Sequence, residues 1–188
     1  LPGEFGYETW PKDAYKYVGA ANNWGSMSVD DARGIVYVPT GSATYDFYGA
    51  DRHGANLFAN CLLALDARTG KRLWHFQTIH HDLWDLDNVS APQLVTVRHD
   101  GRRVGAVAAA GKTGFLYVFN RVTGEPLWPI EERPVPRSDA PGEMAWPTQP
   151  FPTKPAAFVR QSFSVDDVNP WLLRPEEYQR MRDRVAKA

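Results

Sequence analysis

Apolar residues in this chain fall in short runs, each closed by glycine, proline, asparagine or aspartate. Ile35-Val36-Tyr37-Val38 is the first clear run, entered from Gly34 and ended by Pro39-Thr40-Gly41. β-Branched and aromatic residues in such a run suit a pleated, half-buried surface, so it is read as a strand. The same pattern predicts strands over Cys61–Leu65, Arg72–Gln77, Gln93–Arg98, Val104–Ala109 and Phe115–Phe119. Asp66 to Lys71 reads as a hairpin turn, with Asp66 bonding backbone groups ahead of it and Gly70 free to take a positive φ. Asp100-Gly101 marks a second hairpin. Between the first two strands, residues 42–60 form a long polar excursion, and loops of that length in compact domains are often functional.

The first of these hairpins is repeated further along the chain. Asp66-Ala67-Arg68-Thr69-Gly70-Lys71-Arg72-Leu73-Trp74 and Asn120-Arg121-Val122-Thr123-Gly124-Glu125-Pro126-Leu127-Trp128 share Asp/Asn-x-x-Thr-Gly-x-x-Leu-Trp, and the two tryptophans lie 54 positions apart. Gly34-Ile35-Val36-Tyr37-Val38 is echoed more faintly by Gly114-Phe115-Leu116-Tyr117-Val118. A repeat of roughly 50 residues built from short strands and tight turns points to an all-β propeller, one four-stranded blade per repeat, its tryptophan packed on the next blade. The chain holds roughly three blades' worth of sequence, and so few cannot close a ring. It is therefore expected to belong to a longer chain, or to assemble with other copies or another chain. Its start at Leu1 also reads as a trimmed or partial product.

Three regions are expected: blades over 1–128, an extended proline-rich surface segment over 129–173, and a C-terminal helix over 174–188. Proline fixes φ and removes a donor, which argues for extended backbone in the second region. In the third, Pro175 suits a first helical position, Glu176 and Glu177 suit its positive end, and the following Arg and Lys residues suit the other. Leu172, Tyr178, Met181 and Val185 give it a modest apolar stripe.

Composition narrows the function. Fifteen glycines and fifteen prolines in 188 residues leave little room for long helices. A formal net charge of −1 offers no basic field for nucleic acid or anionic lipid. No apolar run is long enough to span a bilayer, and no signal peptide opens the chain. The one cysteine, Cys61, excludes an internal disulfide and any zinc site built on several thiolates. Lying in an apolar run, it reads as a small buried hydrophobe.

Candidate chemistry concentrates in His80-His81-Asp82-Leu83-Trp84-Asp85-Leu86-Asp87. Neighbouring histidines on extended backbone point to opposite faces, and no zinc-type spacing is present, which argues against a transition-metal site. Asp85 beside Trp84 suggests a carboxylate raised toward general-base range by an apolar wall. An aspartate in a polar loop is also an ordinary turn residue. From composition alone both readings stand.

The string Gln77-Thr78-Ile79-His80-His81-Asp82-Leu83-Trp84-Asp85-Leu86-Asp87 closely resembles the signature of quinoprotein dehydrogenases, the enzymes that use pyrroloquinoline quinone (PQQ), with the glucose branch nearer than the alcohol branch. Ala110 to Val118 resembles that family's cofactor-lysine segment, Asn22-Asn23-Trp24-Gly25 its cofactor-stacking tryptophan, and Pro147-Thr148-Gln149-Pro150-Phe151 the glucose branch in particular. The resemblance runs from about residue 20 to the C-terminus, with its motifs in order and at the right spacing. It implies part of a quinoprotein-type propeller of about eight blades. It implies Asp85 as the catalytic base, Lys112 bonded to the quinone oxygens and Trp24 stacked under the cofactor ring. Thr44 matches a position helping to hold a divalent metal, Ca²⁺ or Mg²⁺. His80, His81, Asp82 and Asp87 would fix the loop around Asp85.

The implied activity is oxidation of a sugar or alcohol by hydride transfer to the quinone. Electrons would pass to a quinone or cytochrome, and the setting would be periplasmic or otherwise exported. The departures are the upstream metal-ligand segment, the downstream blades and the adjacent cysteine pair of some alcohol-oxidising members. The rival expectation is a non-catalytic propeller of the same build, serving as a binding or assembly scaffold.

Overall fold

The computed structural model describes residues 1–187. Nine strands form three successive antiparallel sheets. The first is a four-stranded meander, β1 (Ser28–Asp30), β2 (Ile35–Pro39), β3 (Cys61–Asp66) and β4 (Arg72–Gln77), hydrogen-bonded in that order. The second contains β5 (Gln93–His99), β6 (Arg102–Ala110) and β7 (Leu116–Asn120). Its fourth position is marked only by a bridge between Phe119 and Pro126 and by the Leu127 N–H, which donates to the Val118 carbonyl at 2.9 Å. Pro126 supplies no N–H, which keeps that edge from extending as a ladder. The third sheet is a hairpin of β8 (Ile130–Pro134) and β9 (Thr148–Pro152).

This is a run of propeller-type sheets that does not close on itself among the described residues. One sheet of the three has four strands, fewer than three full blades would give.

Both copies of the repeat fold the same way. The Asp66 carboxylate accepts from the N–H groups of Arg68 and Thr69 and from the Thr69 hydroxyl, and the Gly70 N–H returns to the Asp66 carbonyl at 2.8 Å. Asn120 repeats the scheme with Val122 and Thr123, and the Gly124 N–H returns to its carbonyl at 2.9 Å. A short side-chain acceptor that organises its own turn explains the shared Asp/Asn at this position.

The core lies between the first two sheets. Ile35, Tyr37, Leu62 and Ala64 of one meet Val107, Ala109, Tyr117 and Phe119 of the other, with Trp74 and Phe76 packed against them. Trp74 and Phe76 place their ring centroids 5.8 Å and 4.9 Å from that of Phe119. Polar clamps reinforce the junction. The Tyr37 hydroxyl donates to the Arg121 carbonyl at 2.8 Å, and buried Asp30 accepts from Arg33 at 3.0 Å and Arg121 at 3.3 Å.

Two regions depart from the sequence expectation. Strand β1, only three residues long, has no pattern of its own and forms because β2 offers it an edge. Residues 129–173 contain the β8–β9 hairpin, and Pro134, Pro150 and Pro152 all lie in its strands. A two-stranded ribbon leaves half of its backbone donors unused, so proline is tolerated there. The hairpin is anchored inward by the buried Tyr117 hydroxyl, which donates to the Pro150 carbonyl at 2.9 Å. The C-terminal helix α1 runs Pro175–Val185 and buries none of its residues. It is tied back by Arg182, which donates to the Val165 carbonyl and the Tyr178 hydroxyl.

Candidate functional site

The loop from His80 to Asp87 is built around Asp82. One of its carboxylate oxygens accepts from the Trp84 N–H at 2.9 Å. The other accepts from the Leu86 N–H at 2.7 Å and the Asn60 amide at 2.8 Å. The buried Arg52 guanidinium bonds the carbonyls of Asp82 and Tyr45. Burial raises the Asp82 pKa, opposed by the hydrogen bonds from Trp84, Asn60 and Leu86. Asp82 thus folds the loop tightly enough to set Asp85 in the left-handed region, at φ 60°, where an aspartate is tolerated.

That backbone turn points Asp85 at Lys112, on the β6–β7 connection. Lys112 Nζ donates to Asp85 Oδ2 at 2.8 Å and to Asp87 Oδ2 at 2.7 Å. It also stands 5.6 Å from the centroid of the Trp24 ring, and Trp24 is 61% exposed. Gly41 makes this convergence possible: a Cβ there would come within 2.5 Å of Asp87 Oδ1 and 3.1 Å of Trp24 Nε1. The Gly41 N–H bonds the Asn22 carbonyl at 2.9 Å, which fixes the segment leading to Trp24. Beside Lys112 opens a cleft of about 720 Å³, walled by Trp84, Phe115, Phe151 and Phe163. A smaller cavity, about 360 Å³, lies under the N-terminal segment between Phe5, Trp10 and Phe58, apart from all these groups.

The charges in the cluster determine one another. Hydrogen bonding to the Lys112 ammonium holds the Asp85 carboxyl below its usual range. Partial burial pulls Lys112 down, but its bonds to Asp85 and Asp87 outweigh that and leave it above its ordinary value. The expected rise of Asp85 against the Trp84 wall is therefore overturned. Trp84 is 44% exposed and desolvates little, whereas the ammonium is in direct contact.

Of the residues nominated by sequence, Asp85, Asp87, Lys112 and Trp24 come together. Asp82 supports their loop from beneath. His80 faces away, with its ring nitrogens on Gln77 and Glu132, its backbone paired with the Gln149 amide, and its ring near Trp146. Thr44 is exposed and lies against Gly19, outside the Lys112 cluster. Among the described residues no group of three or more His, Cys, Asp or Glu side chains is placed to hold a metal ion. The donors here do not by themselves fit a divalent cation.

Sequence reading missed Arg52 and Asn60, both fully buried under the loop. Their one signal is polarity inside a long excursion, and that does not say which polar residues turn inward.

His81 is buried and donates from Nδ1 to the Gly54 carbonyl at 2.9 Å. Burial, with the Arg52 charge adding, pushes its pKa from 6.5 down to about 4. Unfolded, the imidazole takes a proton near its ordinary pKa; folded, it resists until about pH 4. Its contribution is therefore unchanged above pH 6.5, and stability falls as pH drops through the window between the two values. Over that window wild type should lose about 3 kcal/mol more than His81→Asn. Asparagine tolerates the 47° φ of this position. Denaturant unfolding of both proteins at pH 7 and pH 4 checks this, and parallel losses would count against it.

The antiparallel all-β run matches a known class of propeller domain. Residues 2–188 match the family described as PQQ-dependent glucose/ethanol/alcohol dehydrogenase, β-propeller domain. The chain belongs to this family of quinoprotein dehydrogenases. It is 38% identical to the quinoprotein glucose dehydrogenase of Escherichia coli K12, across 80% of this chain and 19% of that protein. It is 46% identical to the quinoprotein glucose dehydrogenase of Gluconobacter oxydans, across 69% of this chain and 16% of that one. Among solved structures, the quinohemoprotein alcohol dehydrogenase of Pseudomonas putida HK5 superposes with a TM-score of 0.63 at 31% identity, across 69% of this chain and 21% of that one. The chain spans about a fifth of the length of these relatives.

Proposed function

We propose that the intact protein oxidises a sugar or alcohol hydroxyl with PQQ, and that this chain supplies the proton acceptor and part of the cofactor seat. The observation carrying this is the cluster itself, in which one ammonium is shared by two carboxylates and stands beside an exposed indole face. These residues fit a planar anionic quinone. Trp24 would lie flat against its ring, and Lys112 would bond its oxygens and stabilise negative charge gathering there. Bound at this site, PQQ supplies the hydride acceptor.

Asp85 would take the substrate hydroxyl proton. Like any aspartate it is ionised at neutral pH, and Lys112, by holding its pKa lower still, makes it a weaker base while that contact lasts. A Lys112 drawn toward quinone oxygens loosens its hold on Asp85 and makes the carboxylate more basic. Asp82, through its bonds to Trp84 and Leu86, keeps Asp85 aimed during the exchange. The cleft beside Lys112 gives the substrate an apolar-walled approach. The resemblance adds Ca²⁺ or Mg²⁺, which the described donors do not fit. Export to the periplasm and delivery of electrons to a quinone or cytochrome complete the reading.

Titrating the intact protein with PQQ tests it. Saturable quenching of tryptophan fluorescence is expected, and Trp24→Ala should reduce the signal and weaken binding by about tenfold, the scale of one lost aromatic contact. Absence of quenching would favour the scaffold reading.

A further inference from the structure

Lys112 has two carboxylate partners, and they are not equivalent. The Asp85 side chain is 31% exposed, whereas that of Asp87 is 6% exposed. Asp87 is also held on its other side: Oδ1 accepts from the Ser42 N–H at 2.5 Å. Its backbone carbonyl accepts from the Lys112 N–H at 3.1 Å. Asp87 therefore grips the lysine at both ends and joins it to the Gly41–Ser42 segment that packs beside Trp24. Asp85, on a left-handed turn at the mouth of the cluster, makes a single contact with the ammonium.

We propose that Asp87 is the positioning residue of this site, the fixed anchor that presents Lys112 to the cofactor, while Asp85 is the partner Lys112 releases. This rests on the quinoprotein reading above and assigns Asp87 to the lysine instead of to Asp85. The physical reason is that a lysine must stay charged and aimed when it exchanges Asp85 for quinone oxygens. A buried carboxylate with its second oxygen already satisfied keeps it so without moving. If both carboxylates were released together, a flexible four-carbon stem would have no fixed direction.

The test compares Asp87→Asn with Asp85→Asn in the intact protein. The first readout is the rate at which a water-soluble acylating reagent labels Lys112 in the cofactor-free form, followed by peptide mass spectrometry, with Lys71 and Lys154 as internal references. Only the neutral amine reacts, so each unit lost from the lysine pKa speeds labelling tenfold. Asp87→Asn should raise the Lys112 rate by about tenfold or more, and Asp85→Asn by less than about threefold, since the buried partner holds the charge more strongly than the exposed one. The second readout is PQQ affinity from fluorescence quenching: it should fall at least about tenfold in Asp87→Asn and stay within about threefold in Asp85→Asn.

The reverse order in labelling, or equal PQQ affinity in the two variants, overturns the assignment. Should Asp87→Asn fail to fold, Asp85→Asn decides: retained PQQ affinity with Lys112 still protected supports the anchor, and loss of either refutes it. If wild type itself binds no PQQ, the quinoprotein reading fails, and the labelling order still reports which carboxylate holds Lys112.

Discussion

Asp85→Asn in the intact, PQQ-loaded protein is expected to lower kcat by about 10²- to 10⁴-fold, the range that a positioned general base supplies. The substitution is close to isosteric, asparagine tolerates the 60° φ, and the side chain is only partly buried, so the fold should be kept. The loss should therefore appear in kcat with circular dichroism and unfolding midpoint unchanged. A companion change sharpens the result. Lys112→Met removes the group that holds the Asp85 pKa down, so in the cofactor-free protein the Asp85 carboxyl should titrate at higher pH than in wild type. Carboxyl NMR across an acid titration reads this shift directly. Activity of Asp85→Asn within about tenfold of wild type would remove Asp85 from the base role and return the loop to a structural one.

The parts of this site that sequence reveals are those encoded locally. The turn of Asp66 to Gly70 and its copy at Asn120 to Gly124 are legible because each closes on its own backbone. The strands facing the core show their alternation, with Ile35, Tyr37 and Pro39 buried and Val36 and Val38 less so. Asp85 and Lys112 could be paired from sequence through family resemblance, since nothing local says that residues 27 positions apart will meet. What stayed hidden depends on distant partners. The resemblance places Asp87 among the groups that fix the loop, but only the fold brings the Ser42 N–H and the Lys112 ammonium to its two oxygens. Arg52 is fully buried beneath the loop because the Asp82 and Tyr45 carbonyls need its donors, a demand invisible from its own neighbours. The Asp85 shift runs opposite to the sequence expectation for the same reason: Trp84 is adjacent in sequence, but Lys112 is adjacent in space. The β8–β9 hairpin was obscured by its prolines, which bar a central strand and permit an isolated ribbon.

The junction between the first two sheets gives the second large expected effect. Gly124, in the second copy of the repeat, adopts φ +77°, and a Cβ there would come within 2.6 Å of the Trp74 ring from the first copy. Gly124→Ala meets two penalties: about 1–2 kcal/mol for an L-residue in the left-handed region, and about 1–3 kcal/mol for forcing the indole out of its packing. A total of about 2–5 kcal/mol is expected, read from denaturant unfolding of the intact protein and from faster hydrogen exchange in β4 and β7. Trp74→Ala alone should cost about 3–5 kcal/mol, because the ring packs on Tyr37 and Phe119 and its Nε1 bonds the Arg121 carbonyl. The two changes touch the same contact and should not add. In the Trp74→Ala background the space beside Gly124 is empty, so Gly124→Ala should then cost only the backbone part, about 1–2 kcal/mol. The difference is the coupling between the two repeats. Additive losses would mean that the tryptophan and the glycine stabilise their own sheets independently, and that something other than this ring seats one sheet on the next.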